Sequence, residues 1–448
     1  MRERGLGFRG GMSEDLCGHG KKARGRKDVW GGMSAFMCAF LLFAVFVVPA
    51  ASHEKLASED YTLQIYGNAN EDDTVDMRDV TYIKLVIFGK KPETEFCDAN
   101  YDGKVSMLDV VQTKLIIVGK EAKLTIVDSA GRTVTVKKPV KRIIPQQSWS
   151  YEPIWVLGAQ DKVVGVTSTV RDGGGAWLPG IQDKPIVGTF KELDYEKVIG
   201  LEPDIVIAGS KTAEKLEPLG ITVISLPFAG GLEMFEPQFK ILAKILGKDE
   251  RASEFISWRR SCIDKIKERT EKLKPEEKIK VYGESNARPW FTAAKNTSFH
   301  DVITTAGGIN IAGDIPGFYV DVEPEWVVKE NPDVIVIAAT MSRQIPAPGL
   351  DYFADESDIA DMKQYLEETY NRTGIRETDA AKNGRIYLIH GYIVEGGCRS
   401  FVGIWYCAKW FYPELFEDLN PEEVHREYFE EWIGVPYKGI WAYPLIGG

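Results

Sequence analysis

The chain has 448 residues, enough for two or three domains and a sizeable hydrophobic core. Its hydrophobic share of 44% and its charged share of 27% are ordinary for a globular protein. The formal net charge of −11 argues against a nucleic-acid partner, because binding phosphates requires a basic face.

Residues 1–52 have the order of a secretory leader. A basic stretch at 21–27 precedes an uncharged apolar run at 35–51, and small residues at its end offer a cleavage site. The run is marginally short for a bilayer span, so a cleaved signal peptide is favoured over an uncleaved anchor. We therefore predict an exported, extracytoplasmic protein that is cell-surface associated or membrane-anchored.

Residues 61–121 contain a repeat. The run 79–90 matches the run 109–120, and each copy follows a loop rich in oxygen atoms. The spacing of these oxygens is typical of a calcium loop, in which glycine at the sixth position allows a sharp turn. The predicted metal ligands are Asn68, Asn70, Asp72, Thr74, Asp76 and Asp79 in the first loop, and Asp98, Asn100, Asp102, the carbonyl of Lys104, Ser106 and Asp109 in the second.

The first loop departs from this pattern at two positions. Asn68 stands where a carboxylate would bind calcium more strongly, and Asp73 stands where glycine is expected. A left-handed turn at Asp73 would cost more than the same turn at glycine. We therefore predict two Ca²⁺ sites, of which the first is the weaker.

The duplicated loop and helix resemble the type I dockerin module over about residues 66–120. The resemblance implies a small all-α calcium-binding module and, in general, docking onto a cohesin domain. Met77-Arg78 and Met107-Leu108 stand where a small hydroxyl pair is common in cellulose-degrading systems. A cohesin-like partner is therefore a weaker expectation than calcium binding.

From residue 124 onward, short β-branched runs alternate with helical segments. Alternation around a turn predicts a hairpin at 124–127 and 133–136. Further strands are predicted at 141–144, 163–166, 204–208, 222–226, 278–282, 334–338 and 385–389, and helices at 151–157, 194–200, 299–306 and 324–330. A long helical stretch at 232–272, interrupted near Gly247, separates the two sets.

This order predicts an α/β fold of two Rossmann-like lobes with parallel sheets, joined by a long backbone helix. Residues 124–275 would form the hairpin, the N-terminal lobe and the backbone helix, and residues 276–448 the C-terminal lobe and tail. A single large doubly wound sheet is the alternative.

Several sequence segments in this region resemble those of the solute-binding proteins of ABC importers, in the helical-backbone family (class III) that binds iron chelates and cobalamin. They include VGTFKELDYE at 187–196, LEPDIVI at 201–207, VEPEWVV at 322–328 and NPDVIVI at 331–337. The resemblance covers roughly residues 124–416. It implies that a ferric siderophore, haem or corrinoid is captured between the lobes and delivered to the importer. It also implies one exposed glutamate per lobe that pairs with arginines of the importer's membrane subunits, and Glu196 and Glu325 occupy these positions.

Loops that follow the strands are expected to hold the ligand, as in open α/β sheets generally. Aromatic rings offer rigid contact area, and arginine or lysine would pair with the oxygens of a chelate. The candidates are Trp149, Tyr151, Arg171, Trp177, Phe190 and Lys191 in the first lobe, and Trp290, Phe318, Tyr319, Arg343, Tyr392 and Arg399 in the second. The chain has only five histidines, so a complexed metal is favoured over a bare transition-metal ion.

The second hypothesis is a calcium-dependent cell-surface assembly or adhesion protein that uses the repeated module. An enzyme is not predicted, because the sequence has no GxSxG, HExxH or Walker-type phosphate-loop motif. Cys398 and Cys407 are close enough in sequence to pair, but spacing alone leaves the pairing open.

Overall fold

A computed structural model of the chain describes residues 61–339 and 349–445. The predicted leader and the candidate Arg343 lie outside the described residues. Ala57–Gly448 forms one compact unit. In the described part of the chain, no helix combines the length and the apolar character that crossing a membrane requires.

The helices are α1 (Met77–Ile87), α2 (Met107–Ile117), α3 (Tyr151–Val156), α4 (Ser168–Arg171), α5 (Tyr195–Gly200), α6 (Ser210–Leu216), α7 (Phe235–Leu246), α8 (Asp249–Thr270), α9 (Ser298–Thr305), α10 (Pro324–Glu330), α11 (Ile359–Asn371), α12 (Asp379–Lys382), α13 (Ser400–Phe411) and α14 (Pro421–Glu427). The strands are β1 (Lys123–Val127), β2 (Thr133–Lys137), β3 (Ile143–Pro145), β4 (Ile205–Ile207), β5 (Thr222–Ile224), β6 (Lys280–Ser285), β7 (Phe291–Ala293), β8 (Ile309–Asn310), β9 (Tyr319–Asp321), β10 (Val334–Ala339), β11 (Ile386–His390) and β12 (Ala442–Tyr443).

Helices α1 and α2 occupy equivalent positions in the two repeats and pack against each other. Each helix begins with a capping box, formed by Asp76 with Asp79 in α1 and by Ser106 with Asp109 in α2. Buried apolar side chains, including Val80 and Val110, form the core between them. The aspartate that closes each loop therefore also caps the first turn of the helix that follows.

The first lobe contains the hairpin β1–β2 and a three-stranded parallel sheet in the order β3-β4-β5. The hairpin confirms the prediction from alternation. The predicted strand at 163–166 is wrong, because this segment makes only single parallel bridges, from Val163 to Ile143 and from Val166 to Ile186. It lies beside the sheet without the continuous ladder that defines a strand.

The predicted interruption of the backbone helix is confirmed. Helix α7 ends at Gly247, whose φ of 65° suits a residue without a side chain, and α8 then continues for 22 residues. The chain therefore passes between the lobes through two consecutive helices rather than one.

The second lobe has a seven-stranded sheet in the order β12-β11-β10-β6-β7-β9, with β8 also paired to β6. Strands β6, β10 and β11 pair in parallel, whereas β7 runs antiparallel to both of its neighbours, β6 and β9, and β12 runs antiparallel to β11. The expectation of a purely parallel sheet is wrong here, because a short loop returns the chain directly from β6 to β7. Two separate sheets nevertheless confirm the two-lobed α/β class over a single large sheet.

The C-terminal tail completes the core between the lobes. Helix α13 is buried along almost its whole length and packs on α8 and α9. The tail includes a π-helical turn, Tyr428–Ile433, whose Trp432 ring packs against Phe255 of α8 at 4.9 Å between centroids. The tail therefore supports both the backbone helices and the cleft side of the lobes.

Candidate ligand cleft and oxygen-rich loops

A small cavity lies where loops from the two lobes meet. It has a volume of about 10 Å³ and is lined by Ser148, Trp149, Glu152, Tyr392, Gly396, Gly397 and Cys398. The Trp149 loop follows β3 of the first lobe, and the Tyr392 loop follows β11 of the second. The two rings meet edge to face, with centroids 4.4 Å apart.

The backbone also crosses from lobe to lobe beside this cavity. The amide of Gly397 donates to the carbonyl of Phe228 at 3.0 Å, and Ala229 forms an antiparallel bridge with Gly396. Gly396 and Gly397 have φ angles of 138° and 74°, which favour glycine strongly. The glycine pair thus allows the second lobe to approach the first lobe's backbone closely.

The cleft is closed in this conformation. A cavity of about 10 Å³ has room for about one water molecule and is far smaller than the ~300–1,000 Å³ of ordinary ligand pockets. A bulky ligand therefore needs Trp149, Tyr392 and the glycine pair to move apart. Residues 340–348, which follow β10, lie outside the described residues.

Tyr151 does not face the cleft. Its side chain is buried, and its hydroxyl donates to the carbonyl of Pro145 at 2.7 Å and accepts from the amide of Thr167 at 2.7 Å. Burial raises the pKa of this hydroxyl well above its usual range. The ligand-contact prediction for Tyr151 is therefore corrected: the residue fastens the end of β3 to the loop that follows Val166.

Trp177 is also a core residue rather than a cleft residue. Its indole nitrogen donates to the carbonyl of Gly174, and its ring stacks on Tyr352 with centroids 5.5 Å apart. Arg171 forms an ion pair with its neighbour Asp172 at 2.8 Å. Trp177 is thus corrected to a packing role, and the charge of Arg171 is already partnered within the first lobe.

Arg399 is fully buried and joins the two lobes. Its Nε and Nη2 donate to the two carboxylate oxygens of Glu152 at 3.0 and 2.9 Å. The Tyr428 hydroxyl donates to the same carboxylate at 2.7 Å. Arg399 is therefore corrected from a ligand contact to one half of a bidentate ion pair across the lobes.

The remaining candidates lie on more open surfaces. Phe190 in the first lobe and Phe318 in the second are 46% and 47% exposed. The ammonium of Lys191 lies 5.7 Å from the centre of the Phe190 ring. The Tyr319 hydroxyl donates to Glu395 at 3.4 Å, and burial raises its pKa well above the usual range.

Trp290 belongs to the body of the second lobe. It has a positive φ of 66°, unusual for so bulky a residue, and its amide donates to Glu284 at 3.2 Å. The guanidinium of Arg372 lies 4.3 Å from the centre of its ring while pairing with Glu284. These contacts hold the loop between β6 and β7 in a fixed conformation.

Several cavity-lining residues were missed by sequence reasoning. Ser148 and Glu152 flank the predicted Trp149, and Cys398 follows the glycine pair. The consecutive glycines before Cys398 were the one signal that pointed to a close backbone approach. Cys398 and Cys407 are both free and buried, so the structure shows no disulfide between them.

Comparison with known proteins decides the family. The model of the "Periplasmic binding protein" family matches residues 148–393, a segment that includes both cleft loops. This chain belongs to the periplasmic binding protein family. Members of the family are substrate-binding proteins of ABC transporters rather than enzymes, and they act outside the cytoplasm.

Individual relatives of this periplasmic binding protein are distant. An uncharacterised ABC transporter substrate-binding lipoprotein, YvrC of Bacillus subtilis, is 26% identical over 304 residues, or 66% of this chain and 87% of the relative. A cobalamin-binding protein of Halobacterium salinarum is 26% identical over 231 residues, which cover 49% of this chain and 60% of that protein. The crystal structure of the TroA-like periplasmic binding protein FepB from Veillonella parvula superimposes with a TM-score of 0.59 at 26% identity, over 71% of this chain and 98% of that one.

The two predicted docking glutamates of this periplasmic binding protein lie where the sequence placed them. Glu196 is in the first turn of α5 and Glu325 is in the first turn of α10, and both are exposed. A carboxylate is favourable at a helix N-terminus, which accounts for the residue type without any partner. Their role at an importer therefore stays a prediction.

The second oxygen-rich loop is organised by two aspartates. Asp98 accepts from the amides of Asp102 and Gly103 at 3.1 and 2.7 Å. Asp109 accepts from the amides of Asn100 and Ser106 at 3.0 and 2.7 Å. The backbone is thereby curled around a group of oxygen atoms.

The first loop repeats the closing interaction but differs at its start. Asp79 accepts from the amides of Asn70 and Asp76 at 3.0 and 2.7 Å, as Asp109 does in the second loop. Asn68 is fully buried, its amide nitrogen donates to the Asp72 carbonyl at 2.6 Å, and its Oδ1 has no hydrogen-bond partner. Burial, opposed by hydrogen bonds and reinforced by neighbouring carboxylates, raises the pKa of Asp79 to about 6.

The predicted left-handed turn at Asp73 is wrong. Glu71 is left-handed, with φ of 57°, as Tyr101 is at 59° in the second loop, but Asp73 lacks the left-handed backbone that Gly103 has at the equivalent position, with φ of 88°. Asp73 makes an ion pair at 2.8 Å with Lys240 of α7, which explains a carboxylate in place of glycine. Across residues 61–339 and 349–445, no three His, Cys, Asp or Glu side chains form a ready-made metal cluster.

Proposed function

We propose that this periplasmic binding protein captures a chelated metal complex between its lobes, with a corrinoid as the first candidate, and delivers it to an ABC importer. The observation that carries the proposal is the pair of aromatic rings, Trp149 and Tyr392, that meets across the cleft within the segment matched by the family. The Halobacterium relative is named as a cobalamin-binding protein and a Bacillus relative as a petrobactin-binding protein. Haem and ferric siderophores are therefore tested beside corrinoids.

The charges of the described candidates favour a corrinoid over an anionic siderophore. Arg171 and Arg399 are already paired with Asp172 and Glu152, which leaves Lys191 as the exposed cation among the described candidates. A ferric catecholate requires several cationic donors for its oxygens. A corrin ring instead offers large flat faces, which suit aromatic side chains.

Tryptophan fluorescence tests the ligand class directly. Trp149 leaves its contact with Tyr392 when a bulky ligand enters, so binding should quench its emission. Cyanocobalamin, haemin and ferric siderophores are titrated separately, each against a solution of free tryptophan to correct for absorption of light. If none of the three binds even at high micromolar concentration, the chelate proposal fails.

Glu196 and Glu325 are proposed to dock the loaded protein onto the importer, one glutamate from each lobe. Both are exposed and lie in the part of the sequence that matches the family. Replacing both with alanine should abolish uptake by the importer reconstituted in vesicles while leaving ligand affinity unchanged. The matched control replaces Glu214 of α6 and Glu367 of α11, which are also exposed helix glutamates. Equal loss in both pairs would contradict specific docking.

The repeated module is proposed to bind two Ca²⁺ ions through the oxygen ligands of its two loops. The buried Asn68 Oδ1, which has no partner in the first loop, supports a cation there, because an unpaired buried oxygen is costly. Arg78 pairs with Asp72 and Asp76, each at 2.8 Å, and this competing positive charge supports a weaker first site. Calorimetric titration of the chelator-treated protein with Ca²⁺ tests the proposal, and a flat titration would refute it.

A calcium-dependent assembly function with a cohesin-like partner is the second candidate. The observation that favours it is an exposed apolar surface on the two module helices. Met77, Phe88, Met107, Leu108, Val111 and Val118 are all more than half exposed. A purified type I cohesin should then bind in a calcium-dependent manner, and Leu108→Ser should weaken that binding. Absence of binding to the cohesin in saturating Ca²⁺ would remove this candidate.

A further inference from the structure

We propose that calcium in the first loop stabilises the solute-binding domain, so that the module acts as a brace on its own chain. This inference rests on the proposed calcium binding and goes beyond it. It concerns what bound calcium does to residues outside the module. The argument depends on how residues 61–121 contact the rest of the chain.

The module extends the hairpin of the solute-binding domain by one short strand-like segment. The amide of Tyr66 donates to the carbonyl of Thr125, and the amide of Val127 donates to the carbonyl of Gln64, both at 3.0 Å. Ile65 between them forms an antiparallel bridge with Ile126. Backbone pairing of this kind fixes the register and orientation of the module on the hairpin.

Apolar burial reinforces this pairing. Leu63, Ile65 and Ile116 of the module are buried in the same hydrophobic cluster as Leu124 and Ile126 of the hairpin. That cluster continues into the first lobe and the backbone helices. Opening the junction would expose this surface to water, at a cost of ~25 cal/mol per Å². The module is therefore packed into the domain's core and is not an independent domain on a flexible linker.

The first loop itself contacts the backbone helix. Lys240 of α7 donates both to the carbonyl of Asp73 at 2.9 Å and to its carboxylate at 2.8 Å. Asp73 lies between Asp72 and Thr74, two of the proposed calcium ligands. Both side chains of the ion pair are largely buried, at 22% and 18% exposure. The conformation of the first loop is thus linked to the position of α7.

The second loop provides an internal contrast. Residues 101–104 at its tip are exposed, whereas Asp73 at the equivalent tip of the first loop meets α7. Because a ligand that binds only the folded state stabilises everything that unfolds with it, calcium in the first loop should stabilise the whole domain. Calcium in the second loop should act mainly on the module, because a loop whose tip does not touch the domain can unfold locally before the tryptophan-monitored transition.

The distribution of tryptophan makes this testable. Residues 61–121 contain no tryptophan, whereas ten follow between Trp149 and Trp441. With Trp30 of the predicted leader replaced by phenylalanine, tryptophan fluorescence during urea unfolding therefore reports the solute-binding domain alone. Calcium at 100 times its dissociation constant should lower the unfolding constant measured this way by about 100-fold, if module and domain unfold together.

The experiment compares Asp79→Ala with Asp109→Ala, the equivalent closing residues of the two loops, in the full chain. Asp79→Ala should lose most of the calcium-induced shift in the tryptophan-monitored midpoint, and Asp109→Ala should keep it. Lys240→Met should reduce the shift. Lys244→Met should not, because it removes an ion pair of the same helix, with Asp249, that does not touch the module.

Calorimetry on the same samples separates the two ways in which the idea can fail. If no calcium binds, the proposed calcium function is refuted. If calcium binds and slows amide hydrogen exchange in residues 61–121 without moving the tryptophan-monitored midpoint, the proposed stabilisation of the solute-binding domain is refuted. Equal shifts in Asp79→Ala and Asp109→Ala would also overturn the assignment to the first loop.

Discussion

Replacing only Glu152 of the ion pair between Glu152 and Arg399 should lower the unfolding free energy more than replacing both residues. Glu152→Gln keeps the shape of the side chain but leaves the fully buried Arg399 cation uncompensated. Breaking a buried pair in this way costs ~3–5 kcal/mol of unfolding free energy. Rings of Trp177 and Trp441, 5.3 and 4.7 Å from the guanidinium, offset a part of that cost.

Replacing both partners should cost less than replacing Glu152 alone. In Glu152→Gln with Arg399→Met, an apolar side chain of similar length lies among the same rings, and no charge remains buried. The expected coupling energy is ~2 kcal/mol. Urea unfolding followed by tryptophan fluorescence measures all three variants at one pH and one calcium concentration.

The exposed pair Arg288–Asp321 is the matched control, because its side chains are 50% and 65% exposed. Asp321→Asn should change stability little, since surface pairs contribute little. The reasoning is refuted if Glu152→Gln is no more destabilising than this control. It is equally refuted if the double variant is less stable than Glu152→Gln alone.

Three further predictions concern pH, calcium and the ligand. Burial and the neighbouring Glu233 raise the pKa of Asp301 from 3.8 to about 6. The stabilising contribution of Asp301 is therefore complete below pH ~4 and is lost as the pH rises through 6. Relative to Asp301→Asn, the wild type should lose ~2–3 kcal/mol of unfolding free energy between pH 4 and 7.5, and parallel pH profiles of the two proteins would contradict this. Arg78→Leu, which installs the residue type of Leu108, should raise the calcium affinity of the first loop about fivefold by calorimetry, because it removes two competing ion pairs; an unchanged affinity would refute the competition. Trp149→Ala should weaken chelate binding about tenfold in equilibrium dialysis while Trp326→Phe leaves it intact, and equal affinities would exclude Trp149 from the ligand contact.

The periodic elements of this fold were predictable because their patterns are local. Alternation located the hairpin at β1 and β2, and Gly247 located the break between α7 and α8. The segment at 163–166 has the composition of a strand but only single bridges to its neighbours. Composition reports a preference for extended backbone, whereas a ladder also requires a neighbour along its whole length.

The candidate site was predictable in its location but not in the role of each side chain. Trp149 and Tyr392 follow parallel strands and line the cavity, as the position of the loops implied. Tyr151 and Trp177 come from the same loops but are buried in the core. A loop of this kind alternates residues that face the cleft with residues that hold the loop in place, and single-sequence reasoning cannot separate them. The burial of Arg399 depends on Glu152, 247 positions earlier, so no local pattern indicates it.

Asp73 also shows that a local motif does not indicate a tertiary contact. In the context of a calcium loop, an aspartate in place of glycine indicates a defective turn, and the sequence was interpreted in that way. In the structure Asp73 does not adopt the left-handed backbone that Gly103 has at the equivalent position, and its carboxylate has a partner on α7. A departure from a motif can therefore record a tertiary contact that the isolated motif does not have.

The contacts between the lobes differ greatly in strength, and this difference determines how the cleft can open. At the cavity, the backbone hydrogen bond of the Ala229–Gly396 bridge and the edge-to-face pair of Trp149 and Tyr392 hold the lobes together. Glu152 also lines the cavity, and its bidentate pair with Arg399 lies among aromatic rings of the tail. Contacts of the first kind contribute ~1 kcal/mol each, whereas breaking the second leaves a buried charge without a partner. Ligand entry should therefore proceed by displacement of the aromatic pair and the glycine loop, while Glu152 and Arg399 stay joined and act as the fixed point about which the cleft widens.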